Sequence, residues 1–114
     1  MRITGEIGDW GFDWASQNAY NLAMNFVWDP DKAANNLKKH KVSFQEAATV
    51  FGDFLSVTFE DPDHSVDEER YITIGVSDQG RLLVVSHTDR NDTIRIISAR
   101  RVTSYERRYY EAGK

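Results

Sequence analysis

An α+β fold, in which short helices cover a four-stranded antiparallel sheet, is predicted for this 114-residue sequence by three observations. Helix-start signals occur at three places, hydrophobic spacing between them switches from helical to strand-like, and the strand connections are too short for anything but antiparallel neighbours. The expected order is two N-terminal helices, a four-stranded meander and a C-terminal helix.

Asp29-Pro30 places a capping carboxylate before a proline, whose fixed φ and missing N–H suit the first helical position, so a helix is expected over residues 30–39. Ser43-Phe44-Gln45-Glu46 reads as a capping box in which Glu46 reaches back to the cap, with Phe44, Ala47, Ala48 and Phe51 as the buried stripe and Gly52 as a left-handed stop. Leu55, Val57 and Phe59 then alternate with Ser56, Thr58 and Glu60, the pattern of a strand with one wet face. Further strands are expected over residues 71–77, 82–87 and 93–98, joined at Asp78-Gln79-Gly80 and Asp89-Arg90-Asn91-Asp92. Leu82-Leu83-Val84-Val85 is apolar on both faces, which makes that strand central and requires cover on each side of the sheet. Thr103-Ser104-Tyr105-Glu106 opens the last helix, with Gly113 beyond it.

Residues 1–23 carry Trp10, Phe12, Trp14 and Tyr20 but no sustained periodicity. They are expected to be an appendage, either vector-derived or the product of a misassigned start, ahead of a domain at 24–114. With no cysteine, disulfides and thiolate metal sites are excluded, and no apolar run approaches the roughly 18 residues that span a bilayer. A cytoplasmic protein without membrane contact is expected. The net charge of −4 hides an asymmetry: residues 29–78 carry 5 Lys/Arg against 11 Asp/Glu, whereas residues 81–114 carry 8 against 4. The cationic last third suits a polyanion, or equally an acidic partner or the chain's own acidic middle.

Phe26-Val27-Trp28-Asp29, Lys32-Ala33, Asn36, Lys39-His40, Val42-Ser43-Phe44, Glu46-Ala47 and Val50-Phe51 form an ordered series. It continues through Asp67-Glu68-Glu69-Arg70-Tyr71, Ile74-Gly75, Gly80-Arg81, Thr88, Arg90, residues 95–101, Glu106-Arg107 and Tyr109-Tyr110. Over residues 24–113 the sequence resembles the BrnT family of ribonuclease toxins, partners of BrnA antitoxins in type II toxin-antitoxin pairs. Lys41 departs from the family's usual glycine in the turn after the histidine. The resemblance implies a RelE-like fold, metal-independent cleavage of RNA, neutralisation by a BrnA-like antitoxin, and contact with operator DNA only through that antitoxin. No cofactor is expected.

Such cleavage takes a proton from the ribose 2′-hydroxyl, stabilises added charge on phosphorus and protonates the departing 5′-oxygen. Arg70, Arg100 and Arg101, at strand edges, are expected to converge on the scissile phosphate, with Arg90 on a neighbouring one. His40 is the proton-transfer candidate, although a histidine ending a helix also complements its dipole. Lys32, Asn36 and Lys39 share a helical face that can line an RNA groove or simply be solvated. Tyr105, Tyr109 and Tyr110 are available to stack on bases or to pack, with Tyr110 assigned to RNA. Glu106 fits a capping box better than a general base, and His87 a hydrogen-bonded core or edge position. Asp61, Asp63, His64, Asp67, Glu68 and Glu69 crowd one loop but match no metal-site spacing, so no metal is expected. The competing reading is a non-catalytic binding module whose basic end meets a protein.

Overall fold

The computed structural model describes residues 3–4, 24–62 and 69–112. The loop acids from Asp63 to Glu68, Gly113, and all but Ile3–Thr4 of the expected appendage lie outside the described residues. The elements run β1 (Ile3–Thr4), β2 (Asn25–Val27), α1 (Pro30–His40), α2 (Phe44–Thr49) with a following 3-10 turn (Val50–Gly52), β3 (Val57–Glu60), β4 (Tyr71–Val76), β5 (Leu82–Arg90), β6 (Thr93–Arg101) and α3 (Ser104–Ala112). No helix among the described residues is long and apolar enough to cross a membrane.

The three helices and the antiparallel order β6-β5-β4-β3 follow the sequence reading, but the sheet is mixed rather than a four-stranded meander. Asn25–Val27 adds a fifth strand that pairs parallel with Thr93–Arg95, and the two residues of β1 pair parallel with β2 beyond it. Parallel pairing over nearly 70 residues of chain leaves no local turn to betray it, and three residues are too few to show alternation.

Local chemistry explains the helix ends. Asp29 accepts from the Asp31 and Lys32 amides at 2.8 and 3.4 Å, and Ser43 Oγ accepts from the Glu46 amide at 3.0 Å. Glu46 does not reach back to close its box. It is buried, accepts from Ser77 Oγ at 2.6 Å and from Arg81 Nε at 2.9 Å, and so ties α2 to the β4–β5 turn. Gly52 is not left-handed either; the 3-10 turn closes with the Asp53 amide on the Val50 carbonyl. α1 instead ends on Lys41 at φ 61°, the position where the sequence departs from glycine. A side chain costs energy there, so Lys41→Gly is expected to raise stability by about 0.5–1 kcal/mol in urea unfolding.

α1 and α2 cover one face of the sheet. Phe26, Trp28, Val42, Phe44, Val50, Leu83, Val85, Ile94, Ile96 and Ala99 form the main core between them. Gly75 is required by this packing, since a Cβ there would stand 2.9 Å from Val50 Cγ1. On the other face, Tyr110 from α3 joins Ile74, Leu82 and Val84 in a smaller core. β5 therefore lies centrally with apolar cover on both sides, as its sequence requires.

Candidate active site

Side chains alternate across a strand, so the pairing register shows which functional groups share a face. On the α3 side, Arg100 pairs across to Val84 and Ile74, Ser98 to Ser86 and Ile72, and Arg95 to Thr88. Arg70 stands one residue before β4 and continues the Thr88 row, because Tyr71 is opposite His87. Arg90 and Thr93 form the last row before the hairpin turn.

α3 crosses only the Arg100 end of this face. Its Glu106 takes two hydrogen bonds from Arg100, at 2.8 and 2.7 Å, and its Tyr109 ring lies 5.9 Å from Phe59 on β3. Below α3, Ile72, Ser86, Ser98 and Thr88 stay partly exposed, and Arg95 and Arg90 are exposed. The result is a polar trough. One wall is α3, the floor is Ile72, Ser86 and Ser98, and the far side is the row Arg70-Thr88-Arg95. Arg70 and Arg95 stand two strand spacings apart, about 10 Å at their Cα atoms, which long guanidinium side chains can close around one phosphodiester.

A bulge makes this row. The β5–β6 register shifts between Ser86 and His87, leaving Ile97 without an opposite number between Ser98 and Ile96. Ile94 and Ile96 therefore remain in the helix-side core while Arg95 turns to the open face. His87, 1% exposed, stands just past the bulge, with Nε2 2.8 Å from Thr73 Oγ1 and Nδ1 2.6 Å from Asp89 Oδ1. Phe51 and Tyr71 close around its ring on the helix side, as expected of a hydrogen-bonded core histidine and away from the trough.

The sequence-predicted residues thus divide. Arg70, Arg90 and Arg100 share the open face. Arg101 pairs with Leu83 and falls on the opposite face, where its charge contributes to the field at Glu46. It cannot meet Arg100, because adjacent residues of a strand point to opposite sides. His40, Lys32 and Lys39 belong to α1, which packs on β6 from the helix side, so the sheet separates them from the trough. Asn36 is buried, with Nδ2 donating to the Val42 and Ala99 carbonyls, and lines no groove. Tyr110 is 5% exposed and donates to Asp53 at 2.7 Å; its ring has no face for a base. Burial and that bond push its hydroxyl up to about 12. Arg95 and Thr88 entered the sequence reading only within the family resemblance and not as site residues; the face of Arg95 depends on the bulge.

Glu106 closes the predicted capping box, accepting from the Thr103 amide at 2.9 Å while Thr103 Oγ1 accepts from the Glu106 amide at 3.1 Å. The Arg100 guanidinium, more than these bonds, holds its carboxyl down at about 2. It is a fixed anion at neutral pH and a poor base. A carboxylate whose acidity rises on folding adds stability above its ordinary value of 4.5, and that stability is lost as pH falls toward 2. After allowing for the solvent that reaches Arg100, about 1–2 kcal/mol is at stake. Urea midpoints measured between those two pH values should fall less in Glu106→Gln than in the parent chain.

An α+β domain that turns several guanidiniums onto one sheet face has donors of the kind that bind phosphodiester oxygens. Residues 28–106 match the family described as the ribonuclease toxin, BrnT, of type II toxin-antitoxin systems, and the chain belongs to that family. The crystal structure of the Brucella abortus ribonuclease toxin, BrnT, has the same fold, with a TM-score of 0.56, 20% identity, and coverage of 71% of this chain and 99% of that one. No curated protein matches the sequence.

Proposed function

We propose that this chain cleaves RNA without a metal ion, that Arg70, Arg95 and Arg100 bind and polarise the phosphodiester in the trough, and that a BrnA-like antitoxin neutralises it. The observation that carries this reading is the row Arg70-Thr88-Arg95 on the part of the sheet that α3 does not cross, with Arg100 two rows away. In the reaction the ribose 2′-oxygen bonds to phosphorus, the bond from phosphorus to the 5′-oxygen breaks, and the 2′-proton leaves to a base. The arginines act on the middle of that sequence, stabilising charge on the non-bridging oxygens from rigid strands. Arg90 extends the cationic track toward the next phosphate. A guanidinium stays protonated at neutral pH, so the arginine contribution is electrostatic rather than proton transfer.

Paired helices on one face and a C-terminal helix across the other support the RelE-like reading of the fold. The domain proper is assigned to residues 24–114; of the residues ahead of it, Ile3–Thr4 lie along β2 at the sheet edge. RNA as substrate implies action in the cytoplasm, and contact with operator DNA belongs to the antitoxin. Purified protein incubated with RNA in EDTA tests the reading: cleavage should persist, and stop when a stoichiometric BrnA-like partner is added. Intact RNA under EDTA that is cut on adding magnesium would refute metal independence, and intact RNA in both would favour a non-catalytic module.

A further inference from the structure

We infer that Phe59, Tyr105 and Tyr109 form a base-stacking subsite along the trough, through which the protein selects unpaired RNA over duplex; this rests on the proposed function above. The three rings are 39%, 62% and 50% exposed, although each is large enough to fill a core. They brace one another instead. Tyr109 lies 5.9 Å from Phe59 at 39° and 5.3 Å from Tyr105 at 86°, and the two tyrosine hydroxyls are 3.0 Å apart. Tyr110, the next residue along, takes the core position of α3, which leaves its neighbour Tyr109 at the surface.

Their place relative to the arginines makes them a subsite. Phe59 pairs with Ile72, which lies in the Ser86-Ser98 row, and the next row on that face is Arg70-Thr88-Arg95. Adjacent same-face rows are two residues apart, about 7 Å, so a base hung from a phosphate on the arginine row reaches the rings. Arg108, exposed on the same helix three residues after Tyr105, adds positive charge on their side. A purely apolar patch would suit a protein partner, whereas hydroxyl-tipped rings flanked by cations suit the face of a base and its phosphate. Bases inside a duplex present only their edges, and double-stranded RNA offers a ring face to stack upon only at its two ends.

The probes are a short oligouridylate and a blunt RNA duplex of equal length, both fully 2′-O-methylated so that neither is cut, titrated against the full chain at one fixed salt concentration. The single strand should bind about tenfold or more tightly than the duplex. Tyr105→Ala/Tyr109→Ala should lose most of that preference and Tyr105→Phe/Tyr109→Phe should keep it, with circular dichroism confirming that both fold. Equal binding of the two probes by the parent chain, or an undiminished preference in the alanine variant, would overturn the inference. So would an alanine variant that binds RNA normally but escapes the antitoxin, which would make the wall a protein interface. Arg95→Ala, run alongside, should weaken both probes; if it weakens neither, the arginine-row reading fails rather than this one.

Discussion

Arg95→Ala is expected to lower RNA cleavage by about a hundredfold or more while leaving the fold intact. Losing one preorganised charge donor at a phosphoryl centre typically raises the barrier by about 3 kcal/mol, because water rearranged into the gap stabilises the transition state less well than a fixed guanidinium. Arg95 is exposed and lies outside the core, so urea unfolding should change little. Arg101→Ala is the matched control. It removes the same charge from the same strand, but on the helix side, and should leave cleavage within a few-fold of the parent. Equal losses in the two variants would mean that the cationic end acts through its overall field rather than through a site on one face.

Asn36→Ala should have the largest effect on stability, about 3 kcal/mol in urea unfolding. Nδ2 donates to the Val42 carbonyl at 2.9 Å and the Ala99 carbonyl at 2.8 Å, and Oδ1 accepts from the Ala99 amide at 3.1 Å. These bonds fasten the end of α1 and the following turn to β6, and alanine leaves three buried main-chain groups without partners. A loss below about 1 kcal/mol would show that water replaces the amide. Activity of the folded variant should survive, since Asn36 and the trough lie on opposite sides of the sheet.

The helices were legible because their starts are written locally: Asp29-Pro30, Ser43 and the Thr103–Glu106 box each place a cap at the first turn. β5 was legible for a similar reason, since four consecutive apolar residues fit only a strand covered on both faces. β2 was not, as a three-residue strand joined to a distant partner depends wholly on tertiary pairing. Glu46 shows the limit of a cap motif, because Arg81 and Ser77 outcompete the cap amide for the same buried carboxylate. Asn36 looked like a groove residue from its helical spacing, yet its amide matches main-chain groups that only the folded β6 supplies.

The candidate site was legible in composition and not in geometry. Arginine enrichment singled out residues 81–114, and of the arginines named from the sequence Arg70, Arg90 and Arg100 fall on the α3 side of the sheet. Strand alternation alone separates Arg100 from Arg101. Arg95 is a different case: the consecutive pair Ile96-Ile97 breaks the alternation of β6, and only the register shift past Ser86 shows which way its neighbours turn.

Amide chemical-shift mapping with the uncut 2′-O-methyl oligouridylate tests most directly the claim that RNA lies on the α3 side of the sheet. Shifts should concentrate at Arg70, Ser86, Thr88, Arg95 and Ser98 and spare Lys32, Lys39 and His40. The largest shifts along α1, with the Thr88 row undisturbed, would place the RNA on the helix side and contradict the account.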